Sequence, residues 1–495
     1  MDIGYLFNWI SREVFGVPAY LVGIMVAIAL VASRKSWGDV LGGSLKAAMG
    51  FIILGIGANA VVAALTPLGT LITGVAPEGS KGVVPTNEAI TAIVNAKPAF
   101  GTDVAYAMFL GVILSLIIAR VTPLRYVFLT GHHMLFMATV LTVVLLSQNV
   151  TDWLAILVGA VGLGTMMVVM PALAQPWMKR VTGGEAVAIG HFGTLGYILG
   201  GIAGQLVGRG SKSTEEMEFP QSLRFLRDPM LGTAIAMTII YLVMGILYLL
   251  VQGEAAAVSN KLTGSGAGGA GGFLMVLFNQ ALVFGGGVAV ILLGVRTFLG
   301  EIVPAFSGIA ERIIPGAVPA LDCPVSFPYA PNAVLVGFLS SVVGGLVGFF
   351  VLVAGLGSAL TIPLILPGMV PHFFTGGTAG VFGNATGGRR GAVGGGFVNG
   401  LFITLFAAFL VPTMSAIGFQ NTTFGDADFQ WFGLVVGNLA RPGEVVAAVL
   451  VVAACVVLVA LASWWQKTRV DTGWTPGAGV PRRPAAAARP AAGGR

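Results

Sequence analysis

GVVPTNE (Gly82–Glu88) and GAVPALD (Gly316–Asp322) lie deep inside apolar sequence and share the pattern Gly-x-Val-Pro-x-x-acid. Each follows a glycine and a proline at one spacing, Gly57 to Pro67 and Gly294 to Pro304. Proline removes a backbone donor and glycine frees the backbone, so each copy reads as a break in a helix with an acid beside it. A paired, acid-bearing break in the two halves of a membrane chain marks a ligand site where structural repeats meet. The pattern points to transport.

The surrounding composition agrees. Charged residues are 9% of the 495, AVILMFWYC residues 56%, and mean hydropathy is +0.92. Soluble domains carry roughly 25% charged residues, so most of this chain must face lipid. The 73 glycines suit closely packed membrane helices. A crossing needs about 20 apolar residues. Spans are expected at 17–33, 47–66, 103–120, 126–148, 153–174, 229–251, 272–295, 332–356, 359–385, 391–415 and 442–465. Stretches 178–208 and 303–328 are broken by Gly, Pro and charge and read as re-entrant or interfacial segments. The expected fold is an all-α polytopic membrane protein of about eleven crossings. The first repeat occupies 1–228 and an inverted second repeat 229–440. A final helix at 441–465 and a disordered basic tail at 466–495 complete the chain. The start, MDIGYLFNWISREVF, lacks the features of a signal peptide.

Basic residues set the orientation, because they concentrate on the cytoplasmic side. With the amino terminus outside, 21 of the 26 lysines and arginines fall inside; only Arg12, Lys81, Lys97, Lys261 and Arg441 do not. The carboxyl terminus is then cytoplasmic. The net charge of +6 follows from this bias and from attraction to anionic headgroups, without nucleic acid.

Ionisable residues at membrane depth are costly and mark pathways or ligand sites. Here they are led by Glu88, His132, His133, His191, Glu301, Glu311, Asp322 and His372. The histidines stand beside glycine-rich breaks (TGHHM, AIGHFG, VPHFFTGG). His132 and His133 are adjacent and cannot share a helical face, and no HxxxH spacing occurs, so no metal or other cofactor is expected. Cys323 and Cys455 show no redox spacing, and no Ser-His-Asp arrangement or phosphate loop exists, so chemistry by this chain alone is not expected. The triple glycines at 285–287 and 394–396 read as helix-packing surfaces. Asp322 stands between Pro319 and Cys323-Pro324, where it either caps a half-helix or accepts hydroxyls of a polar ligand.

IPGAVPALDCPVSFPYAPNAVLVGF (Ile314–Phe338) resembles the hallmark stretch of the ascorbate-type membrane component, enzyme IIC, of the bacterial sugar phosphotransferase system. LTGHHM (Leu129–Met134), AIGH (Ala188–His191), FFTGGTAGVFGN (Phe373–Asn384) and the RKS at Arg34 resemble its other signatures. The resemblance implies a permease of the bacterial inner membrane, a homodimer with a scaffold of V-shaped motif and a mobile core that moves like an elevator. It also implies separate IIA and IIB partners, the latter phosphorylating the sugar. Carried over position by position, the family's two histidines fall on His132 and His191 and its aspartate on Asp322. Two glutamines typical of ascorbate members fall on Phe136 and Phe192, and its Thr-Tyr pair on Asn87-Glu88. The substrate site expected is therefore Asn87, Glu88, His132, His133, Phe136, His191, Phe192 and Asp322. A pocket with fewer amides and one more acid suits a neutral pentose, a polyol or another sugar acid as well as ascorbate. Two other classes fit the bare sequence: an ion-coupled secondary transporter of such compounds, and a non-transporting membrane scaffold or sensor.

Overall fold

The computed structural model describes residues 5, 9–15, 17–75, 83, 85, 98–150, 152–184, 187–217, 229–259, 268–312, 314–415 and 423–477. Helices dominate: α1 (Pro18–Ala32), α2 (Trp37–Val75), α3 (Pro98–Val121), α4 (Gly131–Ser147), α5 (Asp152–Thr182), α6 (Thr194–Val207), α7 (Pro229–Gln252), α8 (Gly269–Arg312), α9 (Pro331–Val351), α10 (Met369–Ser415), α11 (Ala427–Ala440) and α12 (Glu444–Trp465). Among the described residues, eight helices are long and apolar enough to cross a membrane. Their outward faces stay apolar, as Val445, Val449, Val456 and Leu461 do on α12, because lipid is their solvent.

The expectation of an all-α fold needs correction. Three short strands, β1 (Tyr126–Phe128), β2 (Ala188–Ile189) and β3 (Val318–Leu321), form a parallel sheet in the order β1-β3-β2. Tyr126 pairs with Val318, Phe128 with Ala320 and Ile189 with Leu321. Irregular backbone at membrane depth must be satisfied by protein, and the sheet does this. Pro319 stands in the central strand, yet its missing N–H costs nothing. It points toward β2, which reaches only the level of Ala320 and Leu321. The span expected at 126–148 is therefore a strand followed by a 17-residue helix. The one expected at 359–385 begins only at Met369.

Neither Pro67 nor Pro304 ends its helix: α2 and α8 run through them for 39 and 44 residues. The two cross antiparallel at glycines. A Cβ on Gly57 would lie 2.5 Å from the Ile291 nitrogen and 2.7 Å from the Gly287 oxygen. One on Gly294 would lie 2.3 Å from the Leu54 nitrogen and 2.8 Å from the Gly50 oxygen. Gly50, Leu54 and Gly57 stand 237 residues before Gly287, Ile291 and Gly294, so the contacts exchange under one offset. α10 is two helical arms folded back at Gly387 and Gly388, the latter at φ 59°. Gly383 meets Gly391 and Ala379 meets Gly395 along the seam, while Asn399 donates to Thr375 at 3.0 Å. α6 and α9 pack on this hairpin, and α1, α7 and α8 pack around α2.

A loop after α6 straps the hairpin tip. Thr214 N–H donates to Asn384 at 2.9 Å, and Arg389 donates to the carbonyls of Ser213 and Glu216 at 3.2 and 2.7 Å. The Glu215 carboxylate accepts from Asn332 N–H and Ala333 N–H at 3.0 and 3.2 Å, capping α9. Burial pushes the pKa of Glu215 up, opposed in part by these hydrogen bonds. A raised folded-state value means that its contribution is full below the ordinary glutamate range and declines as pH rises through the raised value. Glu215→Gln keeps an acceptor without the charge. Its melting temperature relative to the parent is expected to rise as pH climbs from the ordinary glutamate range through the raised value, as thermal unfolding would show.

The tail expected to be disordered from 466 is ordered through 477. Gln466 accepts from the Tyr126 hydroxyl at 2.9 Å, and Trp474 packs edge-on against Trp177 and Trp465 at 5.8 and 5.7 Å. Residues 478–495 lie outside the described residues.

Candidate functional site

The carboxyl ends of the three strands converge. β1 leads through Thr130 to His132 and His133 in the first turn of α4, β2 leads to His191, and β3 to Asp322. Parallel strands with helices starting at their ends place ligand-binding groups at that edge. Asp322 Oδ1 accepts from Cys323 N–H at 2.7 Å and so caps a short 3₁₀ helix, Cys323–Tyr329. The same carboxylate faces His191 Nε2 at 3.7 Å and His132 Nε2 at 3.5 Å. The capping reading of Asp322 holds, and the cap leaves the carboxylate facing both rings.

His133 enters the cluster from the same turn. Its Nε2 lies 4.0 Å from Asp426 Oδ2, and its ring stands 3.7 Å from that of His191, centroid to centroid. Asp426 had no place in the sequence-based site. A signal was available: Phe424-Gly425-Asp426 repeats the apolar-Gly-polar step of Ile189-Gly190-His191, each just before a helix. Asp428 is fully buried and accepts from Thr194 N–H and Leu195 N–H at 2.8 and 3.1 Å, capping α6. Among the described residues, no side-chain hydrogen bond caps α4.

Backbone donors fix two rings. Gly193 N–H donates to His191 Nδ1 at 3.0 Å, and the Tyr197 hydroxyl reaches the same atom at 2.6 Å. Phe192 N–H donates to His133 Nδ1 at 3.3 Å. Each ring is therefore the tautomer that carries its proton on Nε2, toward an aspartate.

These groups face a cavity of about 900 Å³. α1 and α2 form one wall, with Val17, Phe51, Asn59 and Thr66. The site residues and Pro367–Pro371, with Phe374, form the other. Pro85, from the first copy of the paired motif, also lines it, and Val83 forms a lone parallel bridge to Ile365. Asn87 and Glu88 lie outside the described residues, as does the Glu311 side chain. Glu301 is away from the cavity and pairs with Lys46 at 3.6 Å. His372 is buried against Ser341 Oγ at 2.7 Å and is not among the lining residues.

The two phenylalanines part company. Phe136 lines the cavity, whereas Phe192 is fully buried behind it, stacked on Phe128 at 4.9 Å. Phe192→Gln is expected to lower stability by about 3–5 kcal/mol, through lost packing and a buried amide. Phe136→Gln is expected to fold normally and to alter ligand preference. Melting curves of the two purified variants check this, and similar curves would contradict the placement.

The argument from helix spacing against a metal fails here, because the ligand-type atoms come from different elements. His132, His133 and Asp322, or His133, His191 and Asp426, or His191, Asp322 and Cys323, bring such atoms within 4.8 Å. The surroundings argue otherwise. A metal-bound histidine donates its second ring N–H outward. The Nδ1 atoms of His133 and His191 instead accept, and their Nε2 atoms carry protons.

Fold and site thus define a polytopic membrane protein with a buried cluster of histidines and aspartates on a cavity between two helical groups. The chain belongs to the family of phosphotransferase-system (PTS) sugar-specific permease components, EIIC-GAT, which it matches over residues 13–428. It is 27% identical over 432 residues to the ascorbate-specific PTS system EIIC component of Mycoplasma pneumoniae, covering 79% of this chain. The chain spans 63% of the length of that curated relative.

Proposed function

We propose that this chain is the permease of a phosphotransferase system of the ascorbate type, carrying a sugar or sugar derivative across the bacterial cytoplasmic membrane. Asp322, His132 and His191, gathered at one sheet edge on a cavity of about 900 Å³, carry this reading. They supply alternating acceptors and donors for hydroxyls, and His133 and Phe136 complete the described polar end.

The body that bears the sheet, α4, α6, α9 and α10 is the mobile core. α1, α2, α7 and α8 are the scaffold, and the ligand rides between them in an elevator movement. The cavity's position between these two groups supports that division. Exchange of the α2 and α8 contacts under one offset supports inverted repeats. The amino terminus is outside and the carboxyl terminus cytoplasmic, the chain works as a homodimer, and separate IIA and IIB proteins phosphorylate the arriving sugar.

Uptake into sealed vesicles tests the reading. Accumulation is expected to require IIB and phosphoenolpyruvate and to survive collapse of ion gradients. Loss of uptake on collapse, with no need for IIB, would instead establish an ion-coupled transporter.

A further inference from the structure

His133 and Asp426 stand outside the residues that the family resemblance assigns. They repeat the geometry of the pairs that it does assign. His132–Asp322, His191–Asp322 and His133–Asp426 are separated by 3.5, 3.7 and 4.0 Å. Strong N–H···O bonds run about 2.7–3.2 Å, so each gap is too wide for a good direct bond. Each imidazole N–H is then left to donate to one ligand hydroxyl and each carboxylate to accept from another close by. His133 and Asp426 are both nearly fully buried, and both line the cavity. His133 is held in place: Phe192 N–H occupies its Nδ1, and Phe429 stacks on its ring at 5.4 Å.

Charge gives the second line. Two carboxylates, Asp322 and Asp426, look into one end of the cavity, and no lysine or arginine is among the described residues lining it. His133 and His191 present N–H donors. The helix starts at Cys323 and Thr194 already face the resident carboxylates of Asp322 and Asp428. An anionic ligand seated among these groups would meet like charge. That costs roughly 4 kcal/mol for one pair about 4 Å apart at an effective dielectric near 20. An uncharged ligand with several hydroxyls meets no such cost.

We propose that His133 and Asp426 form a specificity-determining subsite that holds a further hydroxyl of an uncharged polyhydroxy ligand and rejects anionic sugars. This rests on the assignment of the cavity as the sugar site and names its substrate class. Binding to purified full-length protein is measured with two neutral probes, xylitol and D-glucitol, and two anions, L-ascorbate and D-gluconate. The parent protein is expected to bind a neutral probe at least about 10-fold more tightly than either anion, the equivalent of about 1.4 kcal/mol. His133→Gln is expected to weaken the neutral probe about 10-fold. Asp426→Asn is expected to narrow the preference over anions by a similar factor. It keeps the size and shape of the side chain, and melting curves establish that each variant is folded.

Tighter binding of an anion by the parent overturns the proposal, and so does failure of both neutral probes to bind. Unchanged selectivity in both folded variants overturns it too. Asp322→Asn separates the two levels of inference. If it abolishes binding while the His133 and Asp426 variants behave as the parent, the subsite is wrong and the sugar site stands. If it leaves binding intact, the sugar site itself is wrong.

Discussion

Replacing Asp322 with asparagine is expected to lower ligand affinity and uptake by about 10²–10⁴-fold while leaving the protein folded. The carboxylate faces two imidazoles, and in the proposed permease it accepts from two ligand hydroxyls. Hydrogen bonds to a charged group contribute about 1.5–3 kcal/mol each, and two of them give that range. Asparagine keeps one acceptor, so the cap on Cys323 survives, and the melting temperature should change little. Its amide nitrogen, however, takes the place of Oδ2, which faces His132 Nε2, so the acceptor on that side is lost. Titration of the purified variant with a ligand of the parent protein measures the loss. An Asp322→Asn protein that binds as the parent does would remove this residue from the site.

The second large effect is expected at the crossing of α2 and α8. Gly294→Ala puts a methyl carbon 2.3 Å from the Leu54 nitrogen and 2.6 Å from its Cα. These are backbone atoms, which cannot swing away as a side chain would, so the two helices must separate along their seam. Overpacking of this kind costs about 1–3 kcal/mol and sometimes more, and the backbone contact puts this case at or above about 3 kcal/mol. Gly42→Ala, on the same α2 helix, meets nothing within 4 Å. It should be neutral or stabilising by up to about 1 kcal/mol through helix propensity. Thermal unfolding in detergent, compared between the two alanines, checks the contrast. Equal melting temperatures would mean that the crossing is looser than described.

Much of the candidate site was legible because its residues are chemically costly where they stand. His132, His191 and Asp322 are polar groups in apolar sequence, and the Gly-x-Val-Pro step announced a break at Asp322. Gly57 and Gly294 were legible as a spaced pair, and they proved to be contact points of two antiparallel helices. Of the triple glycines at 285–287 and 394–396, Gly287 packs on Gly57 and Gly396 on Gly337, whereas Gly286 has nothing within 4 Å.

What could not be read has physical reasons. Strands of two to four residues carry no periodicity, so Tyr126–Phe128 merged into the apolar run that follows. Pro67 and Pro304 looked like helix ends, yet both helices continue through them. Phe192 and Phe136 follow similar Gly-His steps, but one strand end turns its phenylalanine into the core and the other helix turns its own into the cavity. Asp426 and Asp428 sit two apart on the start of one helix and differ in role by direction alone. Asp428 reaches back to α6, whereas Asp426 faces His133.

The order of the sheet bears on how the protein is made. Its central strand is the last of the three to be synthesised, about 190 residues after Tyr126 and about 130 after Ala188. Until then both outer strands have left the ribosome without a partner, with unpaired backbone groups that the bilayer interior does not tolerate. The insertion machinery must shelter the start of α4 and the residues before α6 through the whole emergence of α7 and α8. Ribosomes stalled before residue 318 should therefore hold a half-made chain in which the binding residues are still reachable by water-soluble histidine reagents. Only chains long enough to add α10 and α11, which complete the walls of the cavity, should close them off.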